Sequence, residues 1–444
     1  MKLLSTALTA AALATMPVQA LKEVFAHVIT GNMPEMQVSE WEADMRLAKE
    51  AHIDGFVLNI ASQDASNNNS IARAFEAAER VGNFKLFFSF DYEAQGPWTA
   101  DRVANLLAEY IWRAPYFKHQ GNRPLVSTFE GPNNANDWNT IKQLVGNIFF
   151  IPDWSSRAPN EAIGLGGGVA DGLFNWDAWP EGKNDKTTAS DQAFRAALGG
   201  KPYMMPVSPW FFTNLPGWNK NWLWKGDGLW DLRWRQVAEV KPEYVQILTW
   251  NDFGESHYIG PVHEKQLALF NYGQAPINYA RNMPHDAWRK FLPFYIDVYK
   301  NDDRVPTNVG QEGVVAYYRI APARACPSGG TTGNNPNHGQ TVLPPEEVLS
   351  DNVFFAALLN TNRGVEVTVS IGGLEQKASG FTLVPAAGAG TPGVYTGSVP
   401  FGDRTGDVVV TVKRDGNTIA TARGSRPISR TCENNVQNWN AVVA

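Results

Sequence analysis

The chain has 444 residues and is poor in cysteine, histidine and charge: two Cys, seven His, and 18% Asp, Glu, Lys and Arg. Two lone cysteines do not make a zinc site, and His257 and His263 lack a metal-ligand spacing, so neither metal nor cofactor is expected. There is no block of Lys or Arg and the net charge is −6, which argues against a nucleic-acid partner. No Gly-x-Ser-x-Gly elbow is present, so nucleophilic serine chemistry has no motif. Gly164, Gly166, Gly167 and Gly168 are not followed by Lys-Ser/Thr, which removes a phosphate-binding loop. Past residue 20 no apolar run is long enough to cross a bilayer, and no heptads or repeats are visible.

What is present is apolar and aromatic. Hydrophobic residues make up 43%, with 16 Trp and 13 Tyr. Such rings fill large cores, and they also stack on the C–H faces of sugars. The length exceeds what one core usually serves, so two domains are expected. Residues 1–20 have Lys2, an apolar run over 3–16 and a small-x-small end, Val18-Gln19-Ala20. That pattern predicts a secretory signal peptide, a mature chain from Leu21, and an extracellular or cell-wall address. An oxidising route makes Cys326 and Cys432 a predicted disulfide. Asn68-Asn69-Ser70 is a glycosylation sequon, expected in a polar loop with the glycan on Asn68.

From residue 21 onward, β-rich runs alternate with helical stretches. Strands are expected at 24–29, 55–60, 85–90, 125–129, 148–152, 171–175, 203–208 and 244–250. Helices are expected at 71–81, 100–110 and 286–299, and after Ser39, read as an N-cap with Glu42 completing a capping box. The Gly-rich stretch 155–169 predicts a loop or short distorted helix. The apolar loop 209–225 predicts a wall over one end of the sheet. Eight such units point to a (β/α)8 barrel of the TIM type, spanning 21–308. Residues 309–444 read instead as short strands separated by turns, including Asp415-Gly416, with a linker at 327–345. They predict an all-β sandwich module.

In parallel α/β barrels the chemistry lies at the C-terminal ends of the strands. Asp91, Glu130, Asp153, Asp177, Asp252 and Glu255 all fall there, as do Trp154, Trp176, Trp179 and Trp210. Singly, each is equally a loop carboxylate, a cap or a packed ring. The densest stretch is 244–261, YVQILTWNDFGESHYIGP, where Asp252 and Glu255 are surrounded by Trp250, Asn251, His257 and Tyr258. Paired carboxyls with aromatic and amide neighbours suit acid–base cleavage of a glycosidic bond. His27 and Asn59, near the ends of the first two strands, are further lining candidates.

The segments VFAHVITGN, IDGFVLNI, KLFFSFD, PLVSTFEG, FFIPDWSS, DGLFNWDAWP, MPVSPWFFTNLP, NWLWKGD and WNDFGESHYIGP together resemble glycoside hydrolase family 71, the fungal α-1,3-glucanases or mutanases. The resemblance covers the barrel nearly strand by strand and the C-terminal module more loosely. It implies hydrolysis of α-1,3-glucan, an insoluble wall and biofilm polysaccharide, by an endo-acting, inverting enzyme. It places the catalytic carboxylates of the family's motif on Asp252 and Glu255, expected as base and acid in that order. The remaining polar and aromatic candidates become sugar contacts, and the enzyme is expected to act as a monomer. A non-catalytic glucan-binding wall protein is the competing reading, and it has no need of both carboxylates.

Overall fold

Stiff β-branched and aromatic runs alternate with amphipathic helices, and the fold turns that alternation into a curled, mostly parallel sheet. The computed structural model describes residues 22–384 and 390–444; the expected signal peptide lies outside them. All eight expected strands form: Glu23–Ile29, Gly55–Ala61, Lys85–Asp91, Arg123–Phe129, Phe149–Phe150, Leu173–Phe174, Tyr203–Val207 and Tyr244–Ile247. From Arg123–Phe129 the sheet runs back through the third and second strands to the first. It continues through Tyr244–Ile247 and Tyr203–Val207 to Leu173–Phe174. Phe149–Phe150 pairs in parallel with Arg123–Phe129. Single parallel bridges at Asp153 reach Phe129 on one side and Phe174 on the other. The fold is therefore mixed α/β around a curled parallel sheet. Strands such as Gly55–Ala61 are buried along nearly their whole length, as a sheet covered on both faces requires.

Several local details differ from the sequence reading. The first helix starts at Val38, with Gln37 as N-cap and Glu40 closing the capping box; the expected pair was Ser39 and Glu42. The expected helix 286–299 divides into a 3-10 turn, Asp286–Arg289, and a helix, Leu292–Lys300. Pro293 lacks an N–H and suits a first helical turn, not an interior. The stretch 155–169 holds a short helix, Pro159–Gly168, broken by non-helical Leu165, Gly166 and Gly167. The sequon is not in a loop: Asn68 is exposed in the first turn of the helix Asn67–Val81, and Ser70 is buried there.

The stretch 209–225 forms an antiparallel hairpin, Phe212–Leu215 and Lys220–Leu223. The Gly- and Asn-rich segment 327–345, expected to be a loop or linker, packs on it. Thr332–Gly333 pairs in parallel with Trp222–Leu223, and Thr331 Oγ1 donates to Asn221 Oδ1 at 2.6 Å. Beyond Gly313 two antiparallel sheets of five and four strands follow. Val314, Val353 and Phe355 of one sheet share an apolar cluster with Val367, Val369 and Val410 of the other. Alternation along Val408–Arg414 places Val408, Val410 and Val412 inward, the period-2 pattern of a half-buried strand. Cys326 and Cys432 are disulfide-bonded.

Candidate active site

The eighth strand stops at Ile247, and the chain turns sharply. Thr249 Oγ1 accepts from Asp252 N at 2.8 Å, and Asp252 Oδ1 accepts from Glu255 N at 2.9 Å. These two bonds hold both carboxyl groups on one compact turn. Gly254 lies between them in a tight place: a Cβ would sit 3.0 Å from a Leu215 methyl and 3.1 Å from a Leu269 methyl, so both leucines would have to shift by a few tenths of an ångström. Fully buried His257 follows, with Nε2 3.0 Å from Glu255 Oε2 and 3.9 Å from Asp252 Oδ2. From the hairpin, Lys220 Nζ reaches Glu255 Oε1 at 2.7 Å.

The two carboxyls occupy opposite electrostatic settings. Burial pushes Glu255 up, but the Lys220 ammonium and the His257 contact outweigh it, and its pKa falls to about 2. Asp252 has no ion pair of comparable length. Burial first, then the neighbouring Glu255 charge, raise its carboxyl above the usual range. Asp252, Glu255 and His257 place donor atoms within 4.8 Å of one another, a reach that suits a cation. Lys220 already brings a positive charge to that position.

Around this turn the structure gathers several predicted residues. His27 is fully buried, with Nδ1 2.9 Å from the Gln246 amide nitrogen. An amide donating to Nδ1 leaves the ring proton on Nε2, which has no partner among the described residues. Burial, then the nearby His257, lower its pKa to about 3, so the ring is neutral. Trp176 packs edge-on against that ring, with centroids 4.9 Å apart. Asp91 accepts from Glu93 N and Ala94 N and from the Asn59 side chain, and it feels the Lys220 charge. Glu130 accepts from Ser156 N at 2.8 Å. Asp153 is bonded to Ser155, which in turn accepts from Trp176 N. Burial, then the charge of Glu130, hold Asp153 well above the usual carboxylate range, and its Oδ2 is buried without a partner. Trp179 lies 5.2 Å from His257 and stacks on Trp224.

Other candidates are committed elsewhere. Trp154 is walled in against Phe150. Trp210 donates to Trp439 O and Trp250 to Asp44 Oδ2, both buried. Tyr258 donates to Met283 O and stacks on His285. Asn251 pins the first strand through both the N–H and C=O of Ile29. Asp177 is exposed and paired with Lys186. Trp210, Trp250, Asn251 and Tyr258 thus brace the frame through these contacts. Sequence reasoning missed Lys220, Trp224 and Phe211, whose ring lies 5.6 Å from His257 and 4.4 Å from Trp224. The signal available was the Pro216-Gly217 turn inside an apolar run, which marks a hairpin.

Similarity to known proteins agrees with this geometry. Over 431 residues the chain is 34% identical to a mutanase of Penicillium rubens, covering 95% of this chain and 88% of that one. It is 32% identical over 435 residues to a glucan endo-1,3-alpha-glucosidase of Schizosaccharomyces pombe, covering 95% and 93%. An ascus wall endo-1,3-alpha-glucanase of the same yeast is 30% identical over 321 residues, covering 67% and 72%. The model of glycosyl hydrolase family 71 matches residues 20–444, and the chain belongs to that family.

Proposed function

We propose that this protein is a secreted, endo-acting hydrolase of α-1,3-glucan that works by carboxyl acid–base chemistry at Asp252 and Glu255. The observation that carries the reading is the unequal environment of that pair: Lys220 and His257 hold Glu255 ionised, while Asp252 is raised. Relatives whose names specify α-1,3-glucan cleavage support the substrate. An intact pair favours catalysis over passive glucan binding.

A glycosidase needs one protonated carboxyl beside the leaving oxygen and one ionised carboxyl. The environments favour Asp252 as the acid and Glu255 as the charged partner, the reverse of the order expected from the sequence. In an inverting reaction, Glu255 draws a proton from water as that water attacks the anomeric carbon, and Asp252 protonates the departing oxygen. Asp252 and Glu255 each place one carboxylate oxygen within 4.8 Å of the other, close enough for both to act on one glycosidic bond. His27, Asp91, Glu130 and Asp153 remain our proposed sugar contacts; His27 Nε2 and Asp153 Oδ2 are buried polar atoms with no partner among the described residues.

The curled sheet supports a (β/α)8 barrel over residues 21–308, with the bridges at Asp153 spanning its gap. The two later sheets support a sandwich module over 309–444. We take the protein to be an extracellular or wall monomer. Incubation with insoluble α-1,3-glucan tests the function: wild type releases reducing sugar, and Asp252→Asn and Glu255→Gln do not. No release by wild type, or full activity in both variants, overturns it. NMR of the first-formed anomer separates inversion from retention.

A further inference from the structure

Of 16 tryptophans, only Trp112 and Trp218 stand exposed among the described residues, at 75% and 47%. Tyr272 is exposed at 74%. Trp112 lies near the N-terminal end of the sheet, where Tyr116 bridges Leu86, and its ring faces the Lys118 ammonium at 5.7 Å. Trp218 and Tyr272 stand on two segments that pack against the turn bearing Asp252 and Glu255.

Trp218 sits at the hairpin tip, two residues before Lys220. Tyr272 ends the short helix Leu269–Tyr272. Their turns touch: Gly217 N donates to Gly273 O at 2.9 Å, and a Cβ on Gly217 would lie 3.1 Å from that oxygen. Leu215, three residues before Trp218, and Leu269, three before Tyr272, press on Gly254 between the two carboxylates. Both rings are thus carried by segments seated on the catalytic turn. The tip is also held from outside, since Asn219 Nδ2 donates to Asn337 Oδ1 at 3.1 Å and Asn337 Nδ2 donates to the Asn219 backbone carbonyl at 2.8 Å.

Single exposed apolar residues are ordinary on a protein surface. Two large aromatic rings on touching, braced turns beside a cleavage site are a preorganised surface instead. Neither ring brings a charge, and each presents a flat face of the kind that matches the C–H face of a pyranose. We propose that Trp218 and Tyr272 form an aromatic platform that stacks on glucose units of the glucan chain flanking the scissile bond. This rests on the glucan-hydrolase reading above. The platform holds a polymer longer than the catalytic turn itself can reach, so its effect falls on insoluble glucan and not on the chemical step.

The test uses the full-length protein, with Trp218→Ala, Tyr272→Ala and, as control, Trp112→Ala. Sedimentation with insoluble α-1,3-glucan measures binding, and kcat on a short soluble α-1,3-linked oligosaccharide measures chemistry. Each platform variant weakens polymer binding by about fivefold, keeps kcat on the short substrate and retains wild-type thermal stability. Trp112→Ala binds as wild type does. Polymer binding at wild-type strength in both platform variants overturns the proposal, as does lost kcat on the short substrate with polymer binding intact. A wild type that cleaves neither substrate overturns the glucan-hydrolase reading instead.

Discussion

Lys220 Nζ lies 2.7 Å from Glu255 Oε1, although 35 positions separate the two residues in the chain. The ammonium comes from a hairpin and the carboxylate from the turn after the eighth strand, so their meeting is a product of the tertiary fold. It lowers the pKa of Glu255 far more than that of Asp252.

Replacing Lys220 by Met keeps the stem and removes the charge. Glu255 then loses the group that holds its pKa at about 2. The loss of an opposite charge at this distance moves a carboxyl up by about 1–3 units. Because the reaction needs Glu255 ionised, the acidic limb of the kcat/KM profile shifts upward by that amount. A pH–rate profile that stays in place refutes the role assigned to Lys220.

Asp252→Asn and Glu255→Gln each lower activity on glucan by about 10²–10⁴-fold, the usual contribution of a positioned acid or base. They separate on a substrate with an activated leaving group, which needs no proton. There Asp252→Asn recovers most of its loss and Glu255→Gln recovers none. The opposite pattern restores Glu255 as the acid.

The disulfide encloses 106 positions. That loop contains the segment clasped to the hairpin through Asn221, Thr331 and the Trp222–Leu223 pairing. Cys432→Ser therefore lowers the unfolding free energy by about 2–5 kcal/mol, read by urea titration. Asn221→Ala loosens the strand that carries Lys220 and lowers kcat/KM by about tenfold, a loss of ~1.4 kcal/mol in transition-state stabilisation.

Asp231 is buried, with Oδ1 accepting from Tyr295 OH at 2.6 Å. Burial pushes its pKa up to about 6, above the unfolded value. Its contribution to stability is therefore complete below about pH 4 and is lost as pH rises through about 6. Asp231→Asn removes that dependence. Relative to wild type, the melting temperature of the variant rises between pH 4 and 7 and then levels. A constant difference across that range sinks the assignment.

The alternation of strands and helices was legible in local chemistry: apolar runs such as residues 85–90, punctuated by Asn, Asp and Gly, name eight strands without any contact being known. That Asp252 and Glu255 share one turn was legible too, because they are near neighbours in the chain. The secretory pattern and the even cysteine count likewise predicted the Cys326–Cys432 bond. Which aromatic rings face the cleft was not legible. Trp154, Trp210, Trp250 and Tyr258 follow strands just as Trp176 does, but burial is decided by elements far away, such as Asp44 for Trp250 and Trp439 for Trp210. The protonation order of the pair was out of reach for the same reason. A carboxyl's pKa is set by the charges and solvent around it, and for Glu255 the deciding charge arrives on the Lys220 hairpin, braced by the C-terminal segment. The sequence determined that Asp252 and Glu255 stand on one turn; only the tertiary structure decided that a lysine 35 positions away pairs with one of them and not the other.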